Sequence, residues 1–119
     1  MSVPKTTQST VNFSTANTYT YTGLSFTIPA NQAYIIIASL TWNTGQPTEL
    51  ILSDTSDVAS ISRYNTYGRT DNSGDTGISL CTVTAQIIPP NSDTTMYLYA
   101  KNASSSGKGS ARLTVIRIA

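Results

Sequence analysis

Ile78-Ser79-Leu80-Cys81-Thr82-Val83-Thr84-Ala85-Gln86-Ile87-Ile88 alternates in character. Cys81, Val83, Ala85 and Ile87 are apolar while Thr82, Thr84 and Gln86 between them are polar, so an extended chain here has one dry face and one wet face. That is the pattern of a half-buried strand. Cys81 falls on the dry face and is expected to be a small core residue. Working outward, the same reading gives strands over residues 11–13, 18–28, 33–42, 49–53, 59–64, 95–101 and 110–118. Turn chemistry separates them: Pro29-Ala30-Asn31, Asn43 to Pro47, Asp71 to Asp75, Pro89-Pro90-Asn91 and Ser104 to Gly109. No window has helical spacing of apolar residues. About eight short strands at these intervals predict an all-β antiparallel β-sandwich, and the missing Cys-Trp-Cys pattern favours a jelly roll over an immunoglobulin domain. Two corners echo one another: Ile28-Pro29-Ala30-Asn31 precedes one apolar strand and Ile88-Pro89-Pro90-Asn91 precedes another. Residues 1–10 are expected to be a polar tail or linker, and 11–119 a single domain.

Several strands are apolar on both sides. In 33–42, Ile35 and Ile37 face one way and Tyr34, Ile36, Ala38, Leu40 and Trp42 the other. Tyr97 and Tyr99 oppose Met96, Leu98 and Ala100, and Leu113 and Val115 oppose Ile116 and Ile118. A two-layer sandwich offers each sheet one dry side, so the second faces call for another surface or for bulges that shift the register. The partner expected is a second copy of the chain, with Tyr34, Ile36, Tyr97, Tyr99, Ile116 and Ile118 at the interface.

Composition excludes several functions. Of 119 residues, 13 are charged, the formal net charge is +1, and Ser, Thr, Asn and Gln together number 48. An ordinary domain is about one-quarter charged. A neutral, hydroxyl-rich surface has no footprint for nucleic acid or an anionic membrane, and no run approaches a membrane helix. Histidine is absent and Cys81 is the single cysteine, which removes the commonest general base, the commonest metal ligand and any intrachain disulfide. No catalysis, cofactor or metal is expected. The polar N-terminus carries no apolar core or cleavage site of a signal peptide, so the chain is expected either to be made in the cytoplasm or to be a domain excised from a longer protein.

The C-terminal run Ser110-Ala111-Arg112-Leu113-Thr114-Val115-Ile116-Arg117-Ile118-Ala119 resembles the last strand of tumour-necrosis-factor-like trimeric jelly rolls, which lies near their three-fold axis. The segment from Ile28 through Trp42, with Gly45 to Ser53, is similar to C-terminal heads of bacteriophage and prophage tail fibres. The resemblance covers about half the chain. It implies a homotrimeric receptor-binding head on a virion tail or other extracellular surface, attached to bacterial surface glycan. A free-standing trimeric lectin and a purely structural virion decoration or trimerisation module are the alternatives.

A saccharide site needs flat aromatic faces and planar hydrogen-bonding groups. Arg63, Tyr64, Asn65, Tyr67, Arg69, Asp71 and Asn72 form the densest such cluster, at an expected strand end and loop. Trp42 is a second candidate. The same side chains also fit a role in capping and packing the sandwich. Asp71 to Asp75 offers oxygens around a glycine but lacks the distal Glu of a calcium loop, which favours a plain polar turn. Asp75-Thr76-Gly77 and Asp54-Thr55-Ser56 are short of the apolar context of an aspartic protease. The sequons at Asn12 and Asn102 are expected by chance in a chain so rich in Ser and Thr.

Overall fold

Pairing in this chain is nested. The computed structural model describes residues 4–42, 48–57, 66–70, 79–87, 91–103 and 107–119, with Trp42, 66–70 and 79–87 described by backbone alone. Its strands are β1 (Lys5–Asn12), β2 (Thr20–Ile28), β3 (Tyr34–Trp42), β4 (Thr48–Ser53), β5 (Thr66–Thr70), β6 (Ser79–Ile87), β7 (Thr94–Asn102) and β8 (Lys108–Arg117). β1 pairs with β8, β2 with β7, β3 with β6 and β4 with β5, all antiparallel, as in one long hairpin. Further pairs, β3 with β8 and β4 with β7, roll that hairpin into two sheets. Sheet A runs β1-β8-β3-β6 and sheet B runs β2-β7-β4-β5. The chain is an all-β sandwich of two antiparallel sheets.

The core lies between the sheets. It takes Ile36, Ala38 and Leu40 from β3, Ala111, Leu113 and Val115 from β8, Leu50 and Leu52 from β4, and Met96, Leu98 and Ala100 from β7. Phe13 and Ile28 close its ends, each almost fully buried. The register sets Cys81 opposite Leu40, Val83 opposite Ala38 and Ala85 opposite Ile36, so the alternation in β6 matches the core rows of its neighbour. The first of the two echoing corners is tied to the approach to β7, because the Ala30 amide donates to the Asp93 carboxylate at 3.0 Å. Asn31 takes the left-handed φ of 64° there, a conformation that Asn tolerates.

Three expectations are corrected. The polar N-terminus is not a tail from residue 5 onward: Lys5 to Asn12 pair with β8 along their full length. An edge strand with one wet face can be built of threonine and glutamine, since β-branched residues suit extended chain without an apolar code. Second, the segment 66–70 was expected to be loop and is β5, while the expected strand 59–64 lies outside the described residues. Third, Ile36 has no exposed surface and Tyr34 packs against the core, so Ile35 and Ile37, not Tyr34 and Ile36, face outward from β3. Both faces of β3 were apolar in sequence. Only its registers with β6 and β8 distinguish them.

One irregularity interrupts β2. Tyr21 pairs with Tyr99 and Ser25 with Tyr97, which leaves extra chain at Thr22, Gly23 and Leu24. Gly23 absorbs it at a φ of 85°, where a side chain is strained. The buried Thr22 hydroxyl closes the gap: it donates to the Leu98 carbonyl at 2.8 Å and accepts from the Leu24 amide at 3.2 Å. Thr22→Val keeps the shape and strands both backbone groups. It is expected to cost about 2 kcal/mol, measured by urea unfolding.

Candidate functional site

The outward face of sheet B concentrates the aromatic residues. Antiparallel partners share a face, so the registers place Tyr21, Tyr99 and Ile51 in one row, Ser25, Tyr97 and Ser53 in the next, and Lys101 beside Glu49 in a third. All six residues of β4 are buried, which makes β4 dry on both sides. Ile51 is fully buried yet belongs to this outer face. Part of the cover is the chain after β4. Tyr99 donates its hydroxyl to the Thr55 carbonyl at 2.8 Å, and the Ser53 and Thr55 side chains each accept from the backbone two residues on.

Upon this floor three rings meet. The Tyr21 ring centroid is 5.9 Å from that of Tyr97, edge to face at 69°, and 5.7 Å from that of Tyr99 at 51°. Both spacings are within the attractive range for aromatic pairs. Tyr99 is buried, whereas Tyr21 is 43% exposed, the most exposed large apolar side chain among the described residues. The result is an anchored aromatic patch with Tyr21 and the half-buried Tyr97 presented outward.

Burial pushes the Tyr99 phenol above its ordinary pKa of 10.0, and the negative charges that Tyr97, Tyr21 and Asp57 can carry push it further. The bond to Thr55 also requires the neutral hydroxyl. A folded pKa above the unfolded one means that the unfolded chain loses the proton first. The stability linked to Tyr99 is therefore complete below about pH 10 and is lost as pH rises through the folded pKa. Urea midpoints at pH 9 and pH 11 are expected to differ less in Tyr99→Phe than in the wild type.

Beside the patch, Glu49 is a nearly buried carboxylate. Tyr19 donates to its Oε2 at 2.6 Å, the Lys101 Nζ lies 3.6 Å from the same oxygen, and the ammonium sits 4.7 Å from the centre of the Tyr19 ring. A charge this deep persists because it is paired and hydrogen-bonded. The group ties the start of β2 to β4 and β7 and holds the margin of the aromatic face rigid.

Of the expected site, Arg63, Tyr64, Asn65, Asp71 and Asn72 lie outside the described residues, as does the rest of the 71–75 loop. Tyr67 and Arg69 are on β5, opposite Ile51 and Glu49, so their strand borders the aromatic face. Trp42 ends β3 in sheet A, opposite Ser79 and Gly109, and is not on that sheet. The six interface candidates do not form one surface. Tyr34 and Ile36 serve the core, Tyr97 and Tyr99 belong to sheet B, and Ile116 faces outward from sheet A. Ile118 follows β8 and is exposed. Tyr99 is covered by its own chain, so it has no surface to give a second copy. Among the described residues, no three His, Cys, Asp or Glu side chains gather as a metal site. The Asn102 side chain is fully buried and donates to the Thr48 hydroxyl, which shuts that sequon to modification in the folded chain.

Sequence reasoning missed Tyr19, Tyr21, Glu49 and Lys101. A signal existed: Tyr19-Thr20-Tyr21 and Tyr97-Leu98-Tyr99 each place two tyrosines on one side of a strand. Comparison of the chain with models of known protein families and with curated proteins gives no match.

Proposed function

We propose that this chain is a homotrimeric jelly-roll head that recognises bacterial surface saccharide, as a receptor-binding part of a phage tail fibre or a similar surface appendage. The nested pairing and the strand orders β1-β8-β3-β6 and β2-β7-β4-β5 support the jelly roll. The observation that carries the function is the Tyr21 ring, presented outward and held by Tyr97 and Tyr99. A rigid, amphipathic ring stacks on the apolar face of a sugar with little ordering cost, and neutral hydroxyls around it suit a polyol better than a charged partner.

The opposite face supports the trimer. On the outside of sheet A, Ile35 pairs across with Ile116, and Ile37 is 40% exposed one row away. An apolar stripe of this kind on a central pair of strands fits burial against other copies. With sheet A turned inward, the tyrosine face of sheet B is left outward on each copy. Three shallow sites then gain avidity on a repetitive glycan surface.

The test is a bacterial glycan array. Wild-type protein is expected to bind, and Tyr21→Ala with Tyr97→Ala to weaken binding by about 2 kcal/mol, roughly 30-fold, with the fold intact. Undiminished binding by the double variant would move the site elsewhere. No glycan binding by the wild type, together with no competition against particle adsorption to cells, would leave a structural module.

A further inference from the structure

The open edge of the sandwich is a separate feature. Sheet A ends at β1 and sheet B ends at β2, and the two end strands are neighbours across the sandwich, because the Ser9 hydroxyl donates to the Thr22 carbonyl. Among the described residues β1 has β8 as its one ladder partner, and it runs eight residues in unbroken register. Its other edge therefore offers backbone donors and acceptors to an incoming strand. Lys5 and Thr7 lie opposite Val115 and Leu113, on the inner face of sheet A, yet both are exposed. The sheets part at the Lys5–Thr7 end of this seam and close again where Ser9 meets Thr22 and Val11 is buried. Between them is a cleft of about 50 Å³ with Phe26, Leu113 and Val115 as its apolar walls, Thr7 and Ser25 as its hydroxyls, and Lys5 as its single charge.

We propose that this edge is a docking site for an extended acidic peptide segment of a partner protein, which adds a strand to β1 and places one short apolar side chain in the cleft and a carboxylate beside Lys5. Main-chain bonds supply affinity in this mode and alternate side chains supply selectivity. An inward-pointing lysine on an edge discourages a neutral strand, because its ammonium becomes desolvated without a partner. A carboxylate in the incoming strand supplies that partner. The cleft is small and shallow, with apolar walls at Phe26, Leu113 and Val115, which fits a short peptide side chain.

The probe is an end-blocked eight-residue peptide of alternating threonine and valine with one central aspartate, titrated into the full chain and followed by backbone amide shifts. The expected result is saturable shifts confined to β1, β2 and β8. Replacing the aspartate by asparagine should weaken binding about threefold, and Lys5→Gln should abolish that difference between the two peptides. N-methylation of alternate peptide nitrogens should weaken binding at least about tenfold. Equal affinity for the acidic and neutral peptides on wild-type protein would overturn the proposal, as would shifts mapping elsewhere or no binding at millimolar peptide. Concentration-dependent protection of the β1 amides that persists in Ile37→Lys without peptide would also overturn it, because the edge would then belong to a second copy whatever the state of the trimer.

Discussion

Ile51→Ala is expected to destabilise the chain by about 3 kcal/mol, as much as Leu50→Ala or Leu52→Ala on either side of it. In a sandwich with one dry side per sheet, an outward position between two core residues tolerates truncation within about 0.5 kcal/mol. Here all three residues have no exposed surface, although Ile51 points away from the sheet interface that holds Leu50 and Leu52. Its neighbour Tyr99 is fixed from outside by the Thr55 carbonyl. Losing the Ile51 side chain opens a cavity beside Tyr99, its cross-strand partner, and so loosens the residue against which the Tyr21 ring rests. For a domain of this size, 3 kcal/mol lowers the melting temperature by about 12 °C. A shift below about 2 °C would mean that the outer face of β4 is wet in solution and that the tyrosine patch lacks a firm floor.

If the proposed trimer packs through sheet A, Ile37→Lys is expected to convert it into monomers while leaving the fold intact. Ile37 is exposed on the outside of sheet A, so in one chain the change touches no core contact and costs within about 0.5 kcal/mol. In a trimer packed through this face, three ammonium groups are desolvated near one axis without counter-charges, a cost of several kcal/mol for each. Light scattering at micromolar concentration should give three times 12.7 kDa for the wild type and 12.7 kDa for the variant. A wild-type monomer at that concentration would contradict the assembly.

How far the sequence carries depends on what sets each feature. β6 was legible because its apolar and polar residues alternate without exception from Cys81 to Ile87, and the register puts that row against Leu40, Ala38 and Ile36. β3 was not, since Ile35 and Ile37 are as apolar as Ile36 and Leu40 and alternation cannot rank two apolar sets. The strands expected to be dry on two sides were 33–42, 95–101 and 110–118, but Ile37 on the first is exposed, and the strand buried on both sides is β4. Thr48, Glu49 and Ser53 there look wet in sequence and are buried because hydrogen bonds satisfy them. The tyrosine patch was half legible. Tyr97 and Tyr99 stood out as a second face, but Tyr21 joins them through a long-range pairing that also contains the bulge at Gly23. Neither the pairing nor the bulge leaves a local pattern. β1 was missed for the opposite reason: an edge strand can dispense with an apolar code.

In the proposed head, assembly uses the outside of sheet A while recognition uses the outside of sheet B. The decisive measurement of this division sets Ile37→Lys against one array-positive glycan in two formats, as free oligosaccharide in solution and as a dense coated surface. Per-site affinity in solution is expected to stay within about twofold of the wild type, and apparent affinity for the surface to fall about 100-fold or more as avidity is lost. If both affinities fall together, or if the surface affinity does not change, recognition and assembly are not divided between the two faces.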